Sequence, residues 1–337
     1  MRLFRVLPTR QGGASRARGR AGTPREGVVE RHVRFVLKVD VDTFRGMAEG
    51  LPRMLDLFRV RRVRASVFVA MGPDHSGRAV RRILTKPGFL RKMLRTRAVS
   101  LYGPRTVLYG TLLPGPRIAA GNADIFRRIE AEGHEAGVHG WDHVRWQDGL
   151  PKFDEETIAR ELSRAFETFE EITGRPPRAT AAPGWIANER SFAVQDRLGL
   201  LYSSDVRGEF PFRPRVGERV FRTPQVPTTL PTLDELIGGM DEACINGRLV
   251  EEASRQALSR PGAPIVHTVH TEVEGLSRAD LFAELLDRLI AEGARFERLD
   301  GIAASFSRET VLPLCEVRDG KLAGRSGSLA RQLANGA

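Results

Sequence analysis

The sequence predicts an α/β chain built from βα units around a parallel sheet. Three observations carry that prediction. Short apolar runs alternate with amphipathic stretches, as strands alternate with covering helices in such folds. Ionisable residues recur where apolar runs end, at Asp40, Asp42, His139, Asp205 and His270, and chemistry in parallel α/β folds gathers at the C-terminal ends of strands. A chain of 337 residues with 41% hydrophobic content can also bury a sizeable core.

Taken in order, Arg34 to Val39 reads as the first strand, with Asp40 and Asp42 at its end. Strand side chains alternate, so both carboxylates leave the same face. Gly50 to Phe58 is a short helix with Leu51, Leu55 and Phe58 on one side, and Ala65 to Ala70 is a second strand. After an interruption, a helix from about Asn122 to Glu132 precedes a strand at Glu135 to Val138 that delivers His139. Asp154 caps a helix to about Ile172, stopped by Gly174 and Pro176. Strands follow near Ala179, at Leu201 to Ser204 and at Ala263 to Val269, the last ending in His270. Ser277 caps a helix to about Glu292, Arg295 to Arg298 is a final strand, and Asp300 caps a last short helix. There is no internal repeat.

The net charge of +11 is concentrated in two places. Residues 1–34 hold nine arginines against Glu26 and Glu30 in a Gly/Ala/Arg-rich stretch without periodicity, so residues 1–31 read as a disordered tail. Residues 75–123 hold ten Lys/Arg and no Asp or Glu, and form a basic insertion in a catalytic domain spanning 32–325. Residues 326–337 read as a C-terminal tail. In the insertion, Val80, Ile83 and Leu84, then Leu90, Met93 and Leu94, are spaced for the apolar faces of two short helices. Arg91, Lys92, Arg95 and Arg97 lie among the surrounding cations, as in an interfacial membrane element. No uncharged apolar run approaches the roughly 20 residues that span a bilayer. The N-terminus lacks the apolar core of an export signal, so the protein is expected in the cytoplasm, peripheral to the inner face of the inner membrane. Cys244 and Cys315 are too few and too distant for a disulfide framework or zinc motif. Without a helix-turn-helix, zinc-finger or RNP pattern, the basic charge predicts no nucleic-acid partner.

The stretch Gly137-Val138-His139-Gly140-Trp141-Asp142-His143 sets two imidazoles four residues apart. On a helical first turn they would share one face and could grip a single ion. With one carboxylate from Asp40-Val41-Asp42 they make a three-ligand site with open positions, which suits a hydrolytic centre better than a closed structural one.

These residues resemble the metal-dependent polysaccharide deacetylases of the NodB-homology, carbohydrate esterase 4 type. The resemblance implies a distorted (β/α) barrel of about seven parallel strands. It implies Asp40 as catalytic base, Asp42, His139 and His143 as ligands of a divalent ion (zinc, manganese or cobalt), and His270 as catalytic acid with Asp205 holding its imidazole cationic. Two departures stand out. The usual adjacent Asp-Asp is split by Val41, and the usual Arg-x-Pro motif reads Ala181-Ala182-Pro183, so the arginine that would orient the base is absent.

Within the family, Asp40-Val41-Asp42-Thr43-Phe44-Arg45-Gly46, Ser100-Leu101-Tyr102-Gly103, Ser204-Asp205-Val206-Arg207-Gly208 and His270-Thr271-Glu272-Val273-Glu274-Gly275 are similar to members that deformylate undecaprenyl-phosphate-linked 4-formamido-arabinose for lipid A modification. That similarity implies a lipid-linked substrate and polymyxin resistance, with Tyr102, Trp185, Arg207 and Glu272 contacting substrate. Two other readings stay open: deacetylation of another N-acyl sugar, and a basic adhesion module without catalysis.

Overall fold

The computed structural model describes residues 33–81, 105–306, 311–325 and 327–333. The expected tail 1–31, the residues Arg91, Lys92, Arg95 and Arg97, and Tyr102 lie outside them.

The described residues begin with β1 (Val33–Val41), a π-turn at Gly46–Gly50, α1 (Leu51–Arg61) and β2 (Ala65–Val69). Glycine is required in that turn. A Cβ at Gly46 would collide with the Glu272 carboxylate and one at Gly50 with the Thr271 carbonyl. Next come α2 (Ala123–Ala131), β3 (Glu135–Val138), α3 (His143–Gly149), α4 (Glu155–Thr173), β4 (Ala179–Thr180), α5 (Glu189–Leu198) and β5 (Tyr202–Ser203). The Asp154 side chain caps α4 by accepting from the Thr157 N–H, and Gly174 ends it in the left-handed conformation.

A small-strand region follows with β6 (Arg213–Val216), β7 (Arg219–Val220), α6 (Leu233–Leu236) and α7 (Glu242–Ser259). The chain then returns through β8 (Ile265–His270), a π-turn at Val273–Ser277, α8 (Ala279–Ala291), β9 (Ala294–Glu297), α9 (Leu299–Ala304), β10 (Leu314–Lys321) and β11 (Ser328–Gln332).

Seven strands form one parallel sheet in the order β5-β4-β3-β2-β1-β8, with β9 also on β1. The sheet curls into a partial barrel, and residues 225–230 close the gap without being a regular strand. Val226 N–H donates to Ser203 on β5, while Thr229 and Leu230 N–H both donate to Val266 on β8. Alternation along β1 divides two cores. Phe35, Leu37, Val39 and Val41 face the helices, packing with Met54, Phe58 and Phe282. Val36 packs inside the barrel with Phe68, Tyr202, Val266 and Leu299.

Three expected caps and ends are corrected. Ser277 belongs to the π-turn, so α8 starts later with Arg278 at its N-cap. Asp300 lies inside the first turn of α9, whose N-cap is Arg298. The expected C-terminal tail holds β11, which pairs antiparallel with β10 and buries Leu329 and Ala330. Its five residues are too few to show a period, but with β10, β6 and β7 they complete a second, four-stranded sheet.

Candidate metal centre and active site

The C-terminal ends of β1, β3 and β8 converge on one group of side chains. Register places Asp40 opposite His270 across the β1–β8 pair, and opposite Phe68 across β1–β2. Paired residues of neighbouring parallel strands lie about 5 Å apart and point to the same face. The proposed acid and base are therefore side by side at the barrel mouth.

Asp42, His139 and His143 form a potential metal site, with one ligand atom from each lying within 4.8 Å of the others. Asp42 Oδ1 is 3.2 Å from His139 Nε2, and Oδ2 is 3.3 Å from His143 Nε2. The histidines do not share a helical turn. His139 follows the end of β3, Gly140 reverses the chain at a φ of 75°, and Asp142 caps α3 so that His143 is its first residue. The loop brings the rings to 5.4 Å between centroids all the same.

The donor set fits a cation. His139 Nδ1 lies 2.8 Å from the Ala181 carbonyl, to which it donates, leaving Nε2 to face Asp42. In the neutral imidazole Nε2 is an acceptor, so two acceptors meet at 3.2 Å. Asp42 Oδ1 is buried without a hydrogen-bond partner. Burial acts to raise the Asp42 pKa, but His143 and His139 outweigh it and hold the carboxyl below its ordinary range. Burial likewise disfavours charge on His139, yet Asp40 and Asp42 raise its pKa overall. Two carboxylates thus call for a positive charge between the imidazoles, which a divalent ion can supply.

Asp40 is buried behind this group. Its Oδ2 accepts from Lys38 Nζ at 2.9 Å, and its Oδ1 has no hydrogen-bond partner. His270, at the end of β8, is half-buried and meets the Trp185 ring edge-on at 6.4 Å. Its backbone N–H donates to Glu274 at 2.8 Å.

The remaining residues expected at the site are buried and make hydrogen bonds within the protein. Asp205 does not brace His270 in the expected way: its Oδ1 accepts from the Ala182 N–H at 2.7 Å and its Oδ2 from Gln195 at 2.5 Å. Burial raises its pKa to about 6. Asp205 thereby fixes the segment whose Ala181 carbonyl orients His139. Glu272 accepts from the N–H groups of Asp42 and Thr43 and from the Thr43 hydroxyl, and so holds the loop that carries Asp42. Burial, then the Asp42 charge, raises its pKa to about 8.

Arg207 is buried, donating to Glu235 at 2.6 Å and to the Leu230 carbonyl at 2.7 Å. Trp185, fully buried at a φ of 56°, donates from Nε1 to Thr228 and packs against Lys38, Arg207 and Arg325. These side chains support the site from within the protein, where their polar atoms already have partners.

Lys38 and Gln195 are supports that sequence reasoning missed. Lys38 carried a readable signal, being the one cation in the otherwise apolar part of β1 that shares a strand face with Asp40. Gln195 had none, since it reaches Asp205 only through the packing of α5.

A model of the polysaccharide deacetylase family matches residues 40–203. A Shewanella sediminis protein described as 4-deoxy-4-formamido-L-arabinose-phosphoundecaprenol deformylase ArnD is 36% identical over 298 residues, covering 88% of this chain and 93% of the relative. A Wigglesworthia glossinidia brevipalpis protein of the same description is 28% identical over 288 residues, covering 85% and 98%. Among solved structures, polysaccharide deacetylases from Mycobacterium smegmatis and Pseudomonas aeruginosa PAO1 each superimpose with a TM-score of 0.57, at 18% and 17% identity. They cover 87% and 82% of this chain and 96% and 92% of their own, and they share its fold. Strand-end chemistry, fold and sequence agree, and the chain belongs to the polysaccharide deacetylase family of amide hydrolases.

Proposed function

We propose that this protein is a divalent-metal-dependent deformylase of an undecaprenyl-phosphate-linked 4-deoxy-4-formamido-L-arabinose, releasing formate and the lipid-linked amino sugar for lipid A modification and polymyxin resistance. The observation that carries the reading is the convergence of Asp42, His139 and His143 beside the Asp40–His270 pair, in a chain 36% identical to a relative described by that activity.

A formamide is resonance-stabilised and reacts slowly with neutral water. When bound by Asp42, His139 and His143, a divalent ion supplies Lewis acidity that can bring the pKa of water from 15.7 to about 7. Asp40 Oδ1, the carboxylate oxygen left without a partner, accepts the proton of the attacking water. His270 delivers a proton to the nitrogen as the C–N bond breaks, so the amine leaves neutral and the carbonyl carbon departs as formate.

A peripheral position on the cytoplasmic face of the inner membrane suits a substrate whose prenyl tail stays in the bilayer. No helix among the described residues is long and apolar enough to cross a membrane. In the basic insertion, Leu112 is 81% exposed, with Leu108 and Leu113 also on the surface. The insertion is stitched to the site's rim. His75 Nδ1 is 2.6 Å from Asp142, which precedes His143, while Gly77 N–H donates to Tyr109 and Arg78 Nε to the Gly110 carbonyl within the insertion itself. An apolar tip amid cations is the composition of an interfacial element, and each Lys or Arg near an anionic leaflet contributes roughly 1 kcal/mol.

The deciding experiment incubates the metal-loaded protein with the formylated lipid-linked sugar and measures formate with and without chelator. Chelator-sensitive formate release is the expected result. Activity confined to water-soluble N-acetyl sugars would replace the deformylase reading with a deacetylase one.

A further inference from the structure

We propose that Lys38 is the positioning residue of the base Asp40, in the place left open by the absent arginine at Ala181. The inference rests on the amide-hydrolysis reading of the site. Lys38 is fully buried, an arrangement that is rare for a lysine unless its charge is paired. Its ammonium has one ion-pair partner among the described residues, Asp40 Oδ2 at 2.9 Å. Its Nζ also lies 5.1 Å from the Trp185 ring centroid and 5.8 Å from that of Phe68, and its charge reaches the buried Asp205.

The two residues are two apart on β1, so strand geometry itself keeps them on one face. The consequence for Asp40 is asymmetric. Oδ2 is engaged by the lysine, while the buried Oδ1 is left without a protein partner. A carboxylate gripped at one oxygen cannot rotate freely, so Oδ1 is held in one direction to receive a proton. An arginine at Ala181 would approach from the end of β4, where Ala181 instead packs in the barrel interior and lends its carbonyl to His139. The orienting charge thus moves from β4 to β1.

The test is a double-mutant cycle of Lys38→Met and Asp40→Asn, with Lys38→Arg as the conservative variant, read by melting temperature, bound metal, kcat and KM for formate release. Formate release by the unaltered protein checks the function itself first, and the melting temperatures report on the pair whether or not that release is seen. Lys38→Met leaves a buried carboxylate without its partner and is expected to lower the melting temperature, whereas Lys38→Met/Asp40→Asn is expected to recover most of the loss. In Lys38→Met, kcat is expected to fall about 10–100-fold, as for loss of other groups that orient a ligand or base, with bound metal kept and KM within about twofold. Lys38→Arg is expected to retain more activity than Lys38→Met. In the Asp40→Asn background, Lys38→Met is expected to change kcat by less than about threefold.

The proposal is overturned if Lys38→Met keeps kcat within about twofold of the unaltered protein, or if Lys38→Arg loses as much as Lys38→Met. It is equally overturned if Lys38→Met lowers kcat a further tenfold once Asp40 is asparagine, or if the melting temperatures show no coupling. Should Lys38→Met not fold, Lys38→Arg and the double variant still decide, because both keep the buried charge balanced.

Discussion

At the scale of single residues, the proposed site separates candidate ion ligands from the proposed base and acid, and substitution should separate them too. Asp42→Ala and His143→Ala each remove one of three converging ligands. Both proteins are expected to stay folded while losing most of their metal and at least about 10-fold in activity. Metal analysis after gel filtration checks this, and stoichiometric metal in His143→Ala would rule out the site. Asp40→Asn and His270→Ala are expected to keep the metal and lose about 10²–10⁴-fold in turnover, the usual worth of a positioned acid or base. Near-normal turnover in either would remove that residue from the chemistry. The convergence of Asp42, His139 and His143 was legible in the sequence because ligand-type residues just after strand ends leave a short-range pattern. The inward roles of Asp205, Arg207 and Glu272 were not, because each depends on a partner between 10 and 230 residues away that only the closed barrel brings near.

Among the elements, the strands of the parallel sheet were readable because most are short apolar runs bounded by caps and turns, and β3 matches its predicted limits. The second sheet was not, since β6 and β7 read as charged, Pro-containing segments and acquire their order from β10 and β11. The opposite end of the barrel carries a different liability. Glu135, at the start of β3, accepts from Ser66, Tyr202 and the Asp300 N–H, and burial, then the Asp300 charge, pushes its pKa up to about 7. The folded protein therefore keeps a proton that the unfolded chain releases above about pH 4.5. The share of stability that Glu135 contributes is expected to fall as pH rises from about 5 to 7, by on the order of 3 kcal/mol. Glu135→Gln is expected to flatten that slope, as chemical denaturation at pH 5, 6, 7 and 8 would show. An unchanged slope would place the ionisation elsewhere.

For the molecule as a whole, the basic insertion and the metal centre are expected to work on different substrates to different extents. Replacing Arg91, Lys92, Arg95 and Arg97 with Gln, or Leu112 with Asp, should weaken binding to vesicles containing anionic lipid and slow turnover of the lipid-linked sugar. A short-chain soluble analogue should be turned over nearly as before. Equal loss on both substrates would instead make the insertion a lid. One further property follows from how the barrel closes. The proposed base and acid stand on β1 and β8, and the proposed metal ligands follow β1 and β3, all along the unbroken run β3-β2-β1-β8, whereas the closing segment 225–230 touches its neighbours through a few separate hydrogen bonds. The wall therefore has a welded side and a laced side. The laced side leads into the chain that forms α6 and α7, so the width of the mouth can be retailored there while the spacing of the reacting groups stays fixed.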